Sequence, residues 1–202
     1  MMDEKSKQIE FRSIAELHIQ DETETEKGKI IEGKAIVYNS PTVLYTDRFG
    51  NEYREIISSE ALNDVDLSDV PLKYNHAQEK AMILARARQK TLILDNQPDG
   101  LYFKAELRTN LGADIYDSIK AGDIVGCSFG FIIDEDEFDN DTNTRTVKKI
   151  YKLTDISVVD EPAYKQTFVE ARSTDYFKEI ENKLVEKQNK YEREKLYLLS
   201  LL

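Results

Sequence analysis

Hydrophobic and polar side chains alternate along much of the chain, as expected for strands that bury one face. Residues 11–20 (FRSIAELHIQ) alternate in this way, and residues 29–38 (KIIEGKAIVY) are rich in β-branched side chains. Residues 81–108 hold two or three strands around the turn NQPDG. Two long β runs follow at 124–133 and 144–159, joined by an acidic connection. The pattern therefore predicts a β-rich body.

Two segments of this body have the spacing of helices instead. Residues 108–123 (RTNLGADIYDSIKAGD) place apolar side chains one turn apart, with Gly122 just past the predicted end. Residues 55–71 (EIISSEALNDVDLSDVP) predict a shorter helix, with Ser58 or Ser59 as its N-cap.

The character of the chain changes after a last predicted strand, TFVEAR. Residues 173–202 contain no glycine or proline and balance six acidic against six basic side chains. This periodicity predicts a charged helical tail that favours coiled-coil formation and self-association. We therefore divide the chain into an N-terminal strand and polar hairpin tip (1–27), a body (28–172) and the tail (173–202). The residues that recur at helical spacing in the tail are Phe177, Ile180, Leu184, Lys187 and Tyr191.

Charge and composition exclude several classes of function. With 39 acidic and 28 basic residues the net charge is −11, which is the wrong sign for binding a nucleic-acid backbone. No apolar stretch reaches the roughly 18 residues of a membrane span, and the N-terminus lacks the layout of a secretory signal, so we expect a cytoplasmic protein. One cysteine and two histidines cannot build a structural zinc site, so we expect chemistry without a metal or cofactor.

The stretch GCSFG around Ser128 matches the G-x-S-x-G pattern of the hydrolase nucleophile elbow, but its context does not. In that fold the histidine follows the serine, whereas His18 and His76 both precede Ser128. The elbow also opens into a helix, and the residues after Ser128 have a β pattern. The pentapeptide match alone therefore carries no functional information.

A strand around Ser128 gives a more useful interpretation, because alternate residues share a face. Cys127 and Phe129 then point into the core, and Cys127 is a poor candidate for a thiol nucleophile. Ser128 shares the other face with Gly126 and Gly130, which leaves a notch around its hydroxyl. Either a substrate backbone approaches these glycines, or a bulge or helix packs against them.

Two further residues could complete a catalytic site. His76 ends the strand VPLKYNH at the rim of an apolar surface, whereas the alternation predicts that His18 lies on a solvent-exposed face. Asp155 lies within a run otherwise suited to a core, so its carboxylate needs a partner. A histidine ring would serve, and so would Arg86 or Arg88. The acidic stretch DEDEFDND fits no calcium-loop pattern and predicts a solvated hairpin tip.

The elements NHAQ, GDIVGCSFGF and LTDISVVDEPAY, in this order, resemble the prohead proteases of tailed bacteriophages that process capsids of the HK97 type. The resemblance covers about residues 28–172. It implies an α+β serine endopeptidase centred on a β-barrel, similar to the herpesvirus assemblin proteases, with flanking helices and the helical tail.

By resemblance, the histidine of the first element makes His76 the general base, and Ser128 becomes the nucleophile. The acid before I-S-V-V falls on Asp155, where the family more often has glutamate. The glycines at 126 and 130 would then border the substrate cleft. The resemblance further implies acyl transfer from peptide bonds without a cofactor.

The resemblance also implies partners and a location. Scaffold and major capsid proteins would be the substrates, inside proheads assembling in the host cytoplasm. The tail could recruit the protease to these proteins, and self-cleavage near residue 172 would release it. The rival interpretation is a non-enzymatic β-rich assembly module that works through its tail.

Overall fold

The structure is a computed structural model, and it describes residues 8–14, 17–19, 29–77, 82–160, 182, 185–186 and 189–195. The strands are β1 (Ile9–Ile14), β2 (Leu17–Ile19), β3 (Lys29–Val37), β4 (Thr42–Thr46), β5 (Glu52–Ile57), β6 (Pro71–Tyr74), β7 (Ile83–Arg86), β8 (Leu92–Gln97), β9 (Gly100–Leu107), β10 (Gly126–Asp139) and β11 (Thr144–Val159). A 3₁₀ turn, Ala87–Gln89, follows β7, and helix α1 spans Asn110–Ala121.

These strands form two sheets. The larger has the order β1-β10-β11-β5-β4, with β6 also paired to β11 and β7 paired to β6. The smaller has the order β2-β3-β9-β8. Hydrogen bonding among the described strands does not close into a barrel, so the β-rich body is confirmed but the predicted β-barrel is not. The tail positions that the structure describes are helical.

The buried faces of both sheets share one hydrophobic core. Cys127, Phe129 and Phe131 of β10 are each at most 1% exposed and belong to it. The predicted alternation of β10 is therefore confirmed, because the core-facing residues are those expected from a period of two. Helix α1 adds Ile115 and Ile119 to the same core.

Helix α1 ends at Gly122 as predicted, and the structure adds its N-cap. The Thr109 hydroxyl accepts a hydrogen bond from the Gly112 N–H, and Gly122 closes the helix with φ of 83°. The shorter helix predicted after β5 is wrong. The Ser58 hydroxyl does accept a hydrogen bond from the Glu60 N–H at 3.2 Å. The chain then continues as successive turns, because its backbone hydrogen bonds join residues three apart instead of four.

The acidic stretch after the Ser128 region is mostly strand rather than hairpin tip. Strand β10 continues to Asp139, and only residues 140–143 form the turn. The acidic side chains face basic ones across β11, which stabilises the extension. The pairs are Asp136 with Arg145, Glu135 with Lys149, and Glu137 with Lys148.

A buried ion network fixes β1 at the edge of the larger sheet. The Arg12 guanidinium contacts both carboxylate oxygens of Glu55 at 2.6 and 2.7 Å and Glu10 at 2.6 Å. Arg145 bonds Glu10 at 3.0 Å and Glu55 at 3.3 Å. Because β1 pairs antiparallel with β10, this network holds β1 against the strand that carries Ser128.

Candidate active site

Strand β10 places Ser128 in the middle of a three-stranded platform. Its neighbours are β1 on one side and β11 on the other, both antiparallel. Residues directly opposite one another on paired strands share a face. Two such rows cross the platform: Ser13, Ser128 and Ser157 form one, and Phe11, Gly130 and Asp155 form the other.

His76 reaches this platform through a left-handed turn after β6. Asn75 and His76 have φ of 46° and 51°, a conformation that Asn and His tolerate better than most residues. The Asn75 N–H bonds the Val158 carbonyl at 3.0 Å, and the His76 N–H bonds the Ser157 hydroxyl at 3.1 Å. The turn thus folds back over β11 and aims the imidazole at Ser128.

Three predicted site residues form one hydrogen-bonded chain. His76 Nε2 lies 2.5 Å from Ser128 Oγ, and His76 Nδ1 lies 2.5 Å from Asp155 Oδ2. An ionised carboxylate can only accept, so Nδ1 carries the ring hydrogen. In the neutral ring Nε2 then has a lone pair directed at the Ser128 hydroxyl. The arrangement can remove the Ser128 proton.

The Asp155 carboxylate is held at both oxygens. Besides His76, Oδ2 accepts the Ser157 hydroxyl at 3.0 Å, while Oδ1 accepts the Thr154 hydroxyl at 3.2 Å and lies 3.6 Å from Lys73 Nζ. Burial raises the pKa of Asp155, but the hydrogen bond and charge of His76, the charge of Lys73 and the Ser157 hydrogen bond outweigh it. The net pKa is lowered, so Asp155 is ionised at neutral pH.

The family model described as caudovirus prohead serine protease matches residues 15–181. The chain belongs to this family. Its members are serine proteases of capsid maturation, and the enzyme class expected from the three sequence elements is therefore confirmed.

A solved structure supports the fold. The bacteriophage T4 capsid assembly protease, gp21, is 15% identical, and the alignment covers 78% of this chain and all of that chain, with a TM-score of 0.51. At this identity the likeness concerns the fold alone. No curated protein sequence matches the chain. No helix within the described residues is long and apolar enough to cross a membrane.

The notch beside Ser128 is filled by the protease itself at Gly130. A Cβ atom there would lie 2.6 Å from Thr154 Oγ1, 2.8 Å from Phe11 Cε1 and 3.0 Å from Asp155 Oδ1. The Phe11 ring continues over the site and packs on the His76 ring, with centroids 4.2 Å apart. The missing side chain at 130 therefore makes room for Asp155 and Phe11.

Gly126 starts β10 opposite Val159 and is buried. Its predicted place in the substrate cleft stays a prediction. The candidate site is largely buried, since Ser128 is 1% and Asp155 3% exposed. The low dielectric of such a site strengthens its hydrogen bonds and ion pairs.

The other candidates lie away from this centre. The Cys127 thiol faces the core, 3.7 Å from the Lys34 carbonyl oxygen. Arg86 and Arg88 both approach Asp69 instead of Asp155. The side chain of His18 lies outside the described residues. Among the side chains that are described, no group of three or more His, Cys, Asp or Glu could hold a metal ion.

Three residues of the site were not singled out from the sequence. Ser157 lies two residues after Asp155, and the alternation of β11 could have placed it on the same face. Lys73 and Phe11 come from strands distant in sequence, and their approach to Asp155 and His76 is set by strand order.

Proposed function

We propose that His76, Ser128 and Asp155 are the catalytic triad of this prohead protease. The observation that carries the proposal is the continuous chain of two 2.5 Å contacts, from the Ser128 hydroxyl through the imidazole to the Asp155 carboxylate. A nucleophile, its base and an orienting acid in contact are the signature of activated serine chemistry.

The geometry supports an acyl-enzyme mechanism. Nε2 of His76 takes the Ser128 proton as Oγ attacks the carbonyl carbon of the scissile peptide bond. The resulting imidazolium, stabilised by the Asp155 carboxylate, gives this proton to the leaving amine, and the acyl group stays on Oγ. Water, deprotonated by the same Nε2, then attacks the ester carbonyl. The departing Oγ recovers its proton, which returns the enzyme to its starting state.

The short side chain of Asp155 is compatible with this role. Between Gly130 and Phe131 the pairing with β11 shifts by one residue, so that Thr154 is an extra residue in β11. Such a bulge re-aims neighbouring side chains. Together with the left-handed turn at His76, it supports contact between aspartate and imidazole at a position where the sequence resemblance leads us to expect glutamate.

The substrates that we propose are scaffold and major capsid proteins, cleaved within assembling proheads in the host cytoplasm. We further propose that the protease cleaves itself near residue 172 and releases the tail. The family membership supports these substrates and favours a protease over a non-enzymatic assembly module. The charged, periodic sequence of residues 173–202 supports a separate recruiting or self-associating segment.

Co-expression with the scaffold and capsid proteins of the same phage tests the proposal. Wild-type protease should convert them to shorter products, and Ser128→Ala should lose about 10⁶-fold in turnover. Ser13→Ala is the matched control, since Ser13 lies opposite Ser128 in the same row. Identical products from wild type and Ser128→Ala would refute the assignment of the nucleophile.

Intact-mass measurement of the same purified proteins tests self-cleavage. Wild type should lose the tail, whereas Ser128→Ala should keep all 202 residues. Full-length protein from both would contradict tail removal without affecting the assignment of the triad.

A further inference from the structure

Ser157 is a fully buried polar residue at the centre of the site but outside the triad. It lies in β11, directly opposite Ser128 and on the face of Asp155. It is 0% exposed. Its hydroxyl oxygen lies 3.1 Å from the His76 backbone nitrogen, 3.3 Å from His76 Nδ1 and 3.0 Å from Asp155 Oδ2.

The hydrogen-bonding capacity of a hydroxyl fixes its role here. Ser157 has one hydrogen to donate and lone pairs that accept. The His76 backbone N–H can only donate, so Ser157 accepts from it. The ring Nδ1 directs its own hydrogen at the Asp155 carboxylate, so the Ser157 hydrogen also goes to that carboxylate. One hydroxyl therefore joins the backbone of the base to the acid that orients its ring.

The backbone explains why such a link is needed. Strand β6 pairs in parallel with β11 up to Tyr74, and the Asn75 N–H still bonds the Val158 carbonyl. At Asn75 and His76 the backbone is left-handed, and the chain leaves the ladder after the Asn75 N–H. The Ser157 hydroxyl takes the place of a main-chain carbonyl as acceptor for the His76 N–H. The turn that aims the imidazole thus depends on this side chain.

We infer that Ser157 is a positioning residue. It fixes the position of the His76 turn relative to the Asp155 carboxylate and so fixes the Nδ1–H tautomer of His76. The inference rests on the proposed triad but goes beyond it. In this view the acid and the base are connected twice, once through the ring and once through the Ser157 hydroxyl. Loss of the hydroxyl frees both partners to move relative to Ser128.

Cleavage kinetics on a scaffold-derived peptide give the first test. Ser157→Ala should lower kcat roughly 30-fold and leave KM within about twofold, because misplacing a catalytic group by about 1 Å costs on the order of 100-fold. Ser157→Thr keeps the hydroxyl and should recover most of kcat. Ser13→Ala is the control for loss of a serine beside Ser128. Ser13 lies on β1, directly opposite Ser128.

Imidazole NMR of ¹⁵N-histidine protein gives the second test, which does not depend on activity. The chain has two histidines, so the His76 signals can be assigned from His76→Gln. In the wild type, Nδ1 should carry a strongly downfield proton and Nε2 should be unprotonated. In Ser157→Ala we expect this proton signal to be lost and the Nε2–H tautomer to appear, with unchanged signals in Ser13→Ala.

Each outcome bears on the inference. A Ser157→Ala protein with wild-type kcat and an unchanged Nδ1 signal overturns it, and so does an equal loss in Ser13→Ala. If Thr does not fit at this buried position, the Ser157→Ala spectrum decides alone. If the wild type cleaves nothing but Ser157→Ala still shows the tautomer change, the result contradicts the protease assignment while supporting the positioning role.

Discussion

His76 Nδ1 lies 2.5 Å from Asp155 Oδ2, although 79 positions separate the two residues in the chain. The short contact arises from two local irregularities, the left-handed turn at His76 and the extra residue Thr154 in β11. Neither belongs to regular strand structure. Backbone irregularities of this kind are concentrated at functional sites, where the surrounding fold maintains them.

Replacing the Asp155 carboxylate should affect activity far more than folding. Asp155→Asn should lose about 10⁴-fold in kcat, because an amide no longer selects the Nδ1–H tautomer. Kinetics and thermal unfolding of the same samples measure the two effects. The control is Asp160→Asn, an exposed acid five residues on, which should keep full activity. A wild-type rate for Asp155→Asn would remove Asp155 from the triad.

Glutamate, the acid that the sequence resemblance leads us to expect at position 155, should not substitute for aspartate in this chain. Asp155→Glu adds a methylene to a carboxylate already held by Lys73, Thr154 and Ser157, so the imidazole must shift. We expect kcat to fall about 100-fold, the cost of a displacement of about 1 Å. Steady-state kinetics provide the measurement, and equal rates for Asp and Glu would show that the site adapts.

Gly130 should be intolerant of any side chain. The Cβ of Gly130→Ala would meet Thr154, Phe11 and Asp155 at 3.0 Å or less, so overpacking should cost about 2 kcal/mol and displace the triad acid. The urea midpoint of unfolding and kcat should both fall. Gly50→Ala separates the two effects, because its Cβ meets open space but its φ of 86° strains the backbone. That variant should lose some stability and no activity.

The ion network under β1 should contribute strongly to stability. Arg12→Ala leaves Glu55, which is 3% exposed, without its bidentate partner, and should cost about 3 kcal/mol. Arg108→Ala breaks a solvent-accessible pair with Glu106 and should leave the urea midpoint unchanged. Equal midpoints for the two variants would show that the network contributes nothing to stability.

Acid should unfold the protein through two buried carboxylates. Burial raises the pKa of Glu10, but Arg12 and Arg145 outweigh it, and the pKa of Asp155 is likewise lowered on balance. A carboxyl group whose pKa is lower in the folded state than its unfolded pKa of about 4 stabilises the fold above that pH. This stabilisation is lost as the pH falls through the folded-state pKa. Urea unfolding from pH 7 to pH 3 should show this decline, and Glu10→Gln should make it shallower.

Much of the local structure followed from short-range patterns. The C-terminal end of α1 at Gly122, the core-facing alternation of β10 and the long β10–β11 hairpin could all be predicted, because each depends on neighbouring residues. The helix expected after β5 was predicted wrongly, because its apolar residues pack on the core from a series of turns. The acidic half of β10 was misread because its partners, such as Arg145 and Lys149, lie on another strand.

The sequence by itself determined which side chains were available for chemistry: one histidine at a strand end, one serine between glycines and one acid inside a core strand. Only the tertiary structure decided that they meet. Register between β10 and β11, the bulge at Thr154 and the turn at His76 set distances to within an ångström. These features result from long-range pairing and packing, which no local periodicity encodes. The same pairing placed Ser157 under His76 and filled the notch beside Gly130.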